Sequence, residues 1–181
     1  VCRLLAPLQQ VILMTTPSAP GAALKTIHGG ALSRTEIAAM AAEKQPMRLL
    51  NCDLDEVDLS NLDMTGWCFE DCILKRTNFT GATLDDAAFA SCRGAFVDFT
   101  AAKLVEATIE KCDFNNGKFG GATVTQASFV GCKLTGADFT RARAHAVLFK
   151  ETTLSAAYLP GFSFHNVKIE RADFSLADLA R

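Results

Sequence analysis

The 181-residue sequence has little of what several functional classes require. It contains no apolar run near the 18 residues of a membrane-spanning helix, so we predict no membrane partner. Its 18 basic and 20 acidic residues nearly cancel, which argues against direct binding to nucleic acid. The sequence shows no nucleophile beside a base, no phosphate-binding glycine loop and no paired-carboxylate site. We therefore expect no enzymatic activity, no metal and no cofactor.

Phenylalanine, by contrast, is abundant, with thirteen copies against one tyrosine and one tryptophan. A large apolar residue recurs at every fifth position from Leu54 to Leu179, and only Gly94 and Ala144 interrupt these 26 positions. Two places before each lies a residue that is mostly small (Ala, Cys, Val, Thr or Gly), with Leu62, Trp67 and Phe162 as exceptions, and the residue between is often Asp or Asn. Helices repeat every 3.6 residues and strands every two, so neither keeps a five-residue phase. The period indicates a repeat architecture, with a thin core at Gly94 and Ala144.

Cysteine marks a second period of twenty residues within the first. No CxxC pair and no histidine accompanies this set, so we interpret the cysteines as small, buried apolar side chains stacked along one corner. Unpaired thiols favour a reducing compartment, and we predict a cytoplasmic location on that ground. The cysteines of this period are Cys52, Cys72, Cys92, Cys112 and Cys132.

Three segments resemble the pentapeptide-repeat family, whose pattern is Ala, then Asp or Asn, then Leu or Phe, and two further residues. They are Ala137-Asp138-Phe139, Ala172-Asp173-Phe174 and Ala177-Asp178-Leu179, and the resemblance spans about 130 residues. It implies an all-β solenoid, namely a right-handed quadrilateral parallel β-helix of about 6.5 coils. We assign residues 47–181 to this β-helix.

The N-terminal part precedes the repeat. Because residues 15–23 are rich in Thr, Ser, Pro and Gly, we predict a flexible N-terminal segment over residues 1–32. Ser33-Arg34-Thr35-Glu36 has the pattern of a capping box, and Pro46 limits the helix that follows. We predict that this short helix, within residues 33–46, caps the first coil of the solenoid.

Charge is distributed unevenly along the repeat. Residues 50–110 carry twelve acidic and four basic side chains (net −8), whereas residues 111–181 carry six acidic and nine basic ones (net +3). One column of outward positions, spaced by twenty residues, is rich in Asp. It either gives solubility and follows the preference of the repeat, or it presents negative charge as DNA phosphates do. The members of this candidate interaction surface are Asp58, Asn78, Asp98, Asp138 and Asp178.

The function that we predict is a non-catalytic protein-interaction scaffold with an unidentified protein partner. The family resemblance implies two alternatives. Some pentapeptide-repeat proteins mimic DNA and bind the type II topoisomerases DNA gyrase and topoisomerase IV, protecting them from quinolones or peptide toxins. Others are secreted bacterial effectors, and residues 1–32 would then be an export segment. The unbroken five-residue phase and the basic C-terminal half weigh against the DNA-mimic alternative.

The C-terminal coil predicts a homodimer. The repeat stays in phase to Leu179 and the sequence ends at Arg181, so we expect an open apolar end without a capping helix. Unpaired sheet edges invite association, and pairing about a two-fold axis covers both ends at once. Dimerisation through this end is also what the family resemblance implies. The residues of this candidate dimer end are Phe164, Ile169, Phe174 and Leu179.

Overall fold

Eight short strands stack in sequence order to form one parallel sheet in the computed structural model, which describes residues 24–180. From β2 onward, successive strands pair at an offset of twenty residues, as the cysteine spacing predicted. Within residues 24–180, no helix is long and apolar enough to cross a membrane. The strands are β1 (Lys25–His28), β2 (Met47–Leu50), β3 (Cys68–Glu70), β4 (Ala88–Ala90), β5 (Thr108–Glu110), β6 (Ser128–Val130), β7 (Leu148–Lys150) and β8 (Lys168–Glu170).

Three further ladders of parallel bridges run beside this sheet and give each coil four sides. They pass through Asp53, Asp58 and Asp63, and each continues in steps of twenty residues. The chain is therefore a parallel β-solenoid of about seven turns with a single short helix in the described range. This confirms the predicted fold class. The solenoid is slightly longer than the 26 repeats imply, because β1 and β2 add two strands before the first of them.

Phenylalanine rings fill the interior in stacked columns. The ring centroid of Phe99 lies 5.0 Å from that of Phe79 and 5.1 Å from that of Phe119. Adjacent columns meet edge to face, as where Phe119 lies 5.9 Å from Phe129. Both arrangements are preferred by aromatic pairs. The predicted thin spot at Gly94 is filled from the next coil, because a Cβ there would lie 2.7 Å from the Phe114 ring.

Each five-residue side ends in a corner residue with positive φ. This holds for every fifth residue from Asn51 to Leu176, and 20 of these 26 corners are not glycine. Left-handed backbone costs most L-residues roughly 1–2 kcal/mol. In 22 of the 26 corners the N–H is satisfied by the next coil; the Asn116 amide, for example, donates to the Thr135 carbonyl at 2.9 Å. The repetition of such hydrogen bonds holds the corners in this conformation.

The solenoid begins earlier than predicted. Strand β1 pairs in parallel with β2, and Ala31 bridges to Asp53, so residues 24–32 form part of a first coil. The prediction of a flexible segment over residues 1–32 is therefore wrong for residues 24–32. Pairing with β2 orders it, which its own sequence does not reveal. The other part, residues 1–23, lies outside the described residues.

Helix α1 (Arg34–Ala42) covers the first coil, within the range predicted for it. The capping box is formed: the Glu36 amide donates to Ser33 Oγ, and the Ser33 amide donates to Glu36 Oε2 at 2.8 Å. Ile37 is fully buried, and its helix lies against the core. Arg34 donates to the carbonyls of Asp58 and Ser60 at 2.6 and 3.2 Å. These hydrogen bonds satisfy backbone acceptors at a sheet edge that has no further coil.

Candidate interaction surface

The structure brings the five residues of the predicted acidic column together on one side of the solenoid. Parallel bridges link Asp58 to Asn78 and Asn78 to Asp98, and the same ladder continues through Lys118, Asp138, Tyr158 and Asp178. The column therefore alternates acidic residues with an amide, a cation and an exposed phenol. Its negative charge is interrupted more than a uniform row of phosphates would be.

The carboxylates in this column have a local structural role. In each candidate residue, Oδ1 accepts a hydrogen bond from the backbone N–H two residues later, at 2.8–3.0 Å. The same turn forms on a neighbouring side, where Asp53 and Asp173 accept from the amides two residues later. Asp and Asn favour such turns wherever they occur. A structural role in the turn can therefore account for Asp at this position without a binding partner.

Two of the four acidic members are also paired with cations. Asp58 Oδ1 lies 3.4 Å from Arg34, and Asp98 Oδ2 lies 3.3 Å from Lys118 Nζ. Hydrogen bonds from Ser60 lower the pKa of Asp58. Burial works to raise the pKa of Asp98, but hydrogen bonds from Thr100 and Lys118 outweigh it and lower the pKa. Both groups are therefore charged at neutral pH, although Arg34 and Lys118 offset part of that charge.

The last described coil exposes the residues predicted to form the dimer end. Phe164, Ile169 and Leu179 are 38%, 48% and 52% exposed, whereas the same repeat positions in the middle of the solenoid are fully buried. Phe174 is half-buried and contacts Phe164 at a centroid distance of 6.2 Å. The four residues therefore present apolar surface in one coil.

The cysteine column lies in the core, as predicted. Cys52, Cys72, Cys92, Cys112 and Cys132 are all buried free thiols. Burial raises the pKa of Cys132 to about 11, and the hydrogen bond with Cys92, together with burial, raises that of Cys72. Such thiols stay protonated at neutral pH, whereas nucleophiles and metal ligands are thiolates. This supports the interpretation of the column as packing.

Coils of four five-residue sides define a class of repeat protein, the quadrilateral parallel β-solenoids. The chain belongs to the pentapeptide-repeat family. A family model described as a pentapeptide repeat region matches residues 45–119, and a second, described as pentapeptide repeats (8 copies), matches residues 110–143. Together the two matches cover more than half of the chain. A search of curated proteins finds no match.

Similar solved structures are also pentapeptide-repeat proteins or share their fold. One is a trypsin-treated variant of QnrB1, a plasmid-mediated fluoroquinolone resistance protein, with 20% identity, a TM-score of 0.45 and coverage of 87% of this chain and 83% of QnrB1. Another, from the Arabidopsis thaliana thylakoid lumen, has 24% identity, a TM-score of 0.38 and coverage of 60% and 69%. HetL from the cyanobacterium Nostoc sp. PCC 7120, involved in regulating heterocyst differentiation, has 18% identity, a TM-score of 0.38 and coverage of 73% and 65%.

Proposed function

We propose that this protein is a non-catalytic protein-interaction scaffold. The observation that supports the proposal is the fixed register of its outward side chains, which four ladders repeat from coil to coil. Such a surface is ordered before a partner arrives, so binding does not have to order it. We propose a cytoplasmic location on the ground of the five free core thiols, which favour a reducing compartment, whereas the disulfide-bonded Cys68 favours an oxidising one. The alternative of a secreted effector takes residues 1–32 as an export segment, and residues 1–23 of it lie outside the described residues.

The second candidate function is binding of a type II topoisomerase by DNA mimicry. The net charge of −8 over residues 50–110 favours it, since this part of the rod attracts surfaces that bind DNA. The similarity to QnrB1 concerns the fold alone, so this candidate function rests on the negative charge of residues 50–110. The pairing of Asp58 with Arg34 and of Asp98 with Lys118 weakens it.

Substitution of Asp58, Asp98 and Asp138 by Asn tests the DNA-mimic candidate. Asn keeps the turn, as Asn78 shows by accepting the Thr80 amide at 2.9 Å, so the variant loses charge without losing its fold. We expect wild-type protein to alter gyrase supercoiling, with or without a quinolone, and the variant to be roughly three- to tenfold weaker and less sensitive to salt.

The matched control replaces Asp53, Asp113 and Asp173, which form the same turn on the neighbouring side, by Asn. This variant loses the same charge from another column, and we expect it to act as the wild type does. Equal weakening in both variants would show a non-specific charge effect. Wild-type protein without any effect on gyrase at low salt would eliminate the candidate.

We also propose a homodimer through the last coil, with the apolar surface of Phe164, Ile169, Phe174 and Leu179 as the interface. The small cross-section of a solenoid implies a modest interface, with a Kd on the order of micromolar. Light scattering over a concentration series should show a dimer that Leu179→Asp dissociates. Leu176→Asp is the control, because Leu176 is 91% exposed at an outward corner of the same coil. A monomer at every concentration, or dissociation by both substitutions alike, would contradict this interface.

A further inference from the structure

Phe96 is an unusual residue type for its position in the repeat. It is a corner residue with a φ of 62°, and 54% of it is exposed. It is the one aromatic side chain among the 20 non-glycine corners from Asn51 to Leu176. A bulky residue with positive φ is a conformational outlier, and exposing a large ring gains nothing from the hydrophobic effect. The five-residue pattern already assigns residue 96 to an outward position, so the sequence carried this signal.

The fold offers no reason for a phenylalanine at this corner. The space above nearby Gly94 is occupied by the Phe114 ring, so Phe96 does not replace a missing core side chain. The Phe96 amide donates to the Asn115 carbonyl at 2.9 Å, a hydrogen bond that any residue except proline would make. The positive φ is imposed by the fold, since all 26 corners share it, so the feature that the fold leaves unexplained is the exposed aromatic ring.

Two unpaired cations lie beside Phe96. Arg93 is on the same side of the same coil, and Lys75 is on the coil before, which is linked by the bridge from Ile73 to Arg93. Both cations are exposed, and neither forms an ion pair with any residue in the described range 24–180. Ile73 and Ala95 are half-buried between them. An exposed ring, two half-buried apolar side chains and two exposed cations thus lie on one side of the solenoid, together with Asp113, which follows Arg93 in the same ladder.

We propose that Phe96, Lys75 and Arg93, here named the Phe96 surface, dock an acidic segment of a partner protein that carries an apolar side chain between carboxylates. An exposed ring can anchor an apolar side chain, and lysine and arginine pair with carboxylates. A nucleic acid is disfavoured, because this half of the rod has a net charge of −8 and repels a polyanion more than a segment with a few carboxylates. The inference rests on the proposed scaffold function, but it does not involve the acidic column.

Phe96→Asn separates binding from folding. Asn tolerates positive φ, and Asn116 occupies the equivalent corner one coil later with a φ of 56°. We therefore expect the variant to unfold at the same temperature as the wild type or higher, as measured by circular dichroism. A clear fall in the unfolding temperature would show that the ring stabilises the fold, and this would overturn the proposal.

Binding is tested with peptides selected from a random phage-displayed library on wild-type protein. We expect peptides with two or more carboxylates around an apolar residue, whose fluorescein-labelled forms bind at least about tenfold more weakly to Phe96→Asn and to Lys75→Gln/Arg93→Gln. Leu176→Asn, a change at an equivalent corner four coils away, should leave the affinity unchanged.

Several results would overturn the assignment. The first is a library that yields no acidic peptides. The second is a peptide affinity that Phe96→Asn leaves unchanged. The third is binding of labelled oligothymidylate that depends on Phe96, because this would identify a nucleic acid as the ligand. The Asp58/Asp98/Asp138→Asn variant should bind the selected peptides as the wild type does. A gyrase effect that survives Phe96→Asn would leave the topoisomerase candidate standing even if the Phe96 surface fails.

Discussion

Replacement of Phe99 by alanine should lower the free energy of unfolding by about 3–5 kcal/mol. Phe99 is fully buried, stacks on the rings of the coils before and after it, and meets Phe89 edge to face at 5.6 Å. In a solenoid each coil is stabilised mainly by its neighbours, so this cavity weakens both interfaces of one coil at once. Denaturant unfolding followed by circular dichroism measures the change.

Phe164→Ala is the matched control for this prediction. It removes the same side chain from a large apolar position, but at the end of the rod, where Phe164 is already 38% exposed. We expect less than half the loss seen for Phe99→Ala. Equal losses would contradict the idea that stacking on both sides provides the stability of the interior coils.

The five-residue phase predicted which side chains face the core, and the reason is geometric. Each side contributes two inward positions separated by one outward residue, so the apolar series beginning at Leu54 had to lie inside. The same geometry placed the free cysteines of the twenty-residue period at one inner corner, where they are buried. Inward and outward assignment depends only on local backbone repetition, which is why the sequence was sufficient for it.

Contacts between the helix and the solenoid could not be predicted in this way. From the sequence, Asp58 was an available negative charge in a column. In the structure, Arg34 lies 3.4 Å from its carboxylate because α1 packs over the first coil. The pairing of strand β1 is equally invisible in the sequence. Lys25–His28 does not follow the five-residue period, and it pairs only because β2 presents an open edge. Both features depend on docking of segments that the five-residue period does not describe.

Deletion of residues 1–45 should cause the protein to aggregate. The deletion removes β1 and α1, and it exposes Met47 and Leu49, both fully buried in the complete solenoid. It also leaves the β2 edge and the carbonyls of Asp58 and Ser60 without donors. Uncapped solenoid ends and open edges both favour association. Size-exclusion chromatography with light scattering measures the soluble fraction and the particle size.

A pair of point substitutions in α1 distinguishes the cap from a general effect of shortening the chain. Ile37→Asp places a carboxylate at a fully buried position, and Ala39→Asp places the same group on the exposed face of the same helix. We expect Ile37→Asp to reproduce the aggregation and Ala39→Asp to behave as the wild type does. If the truncated protein stays soluble and unfolds at the same denaturant concentration, the first coil is stable without α1. The helix would then be an attachment to the rod rather than its cap.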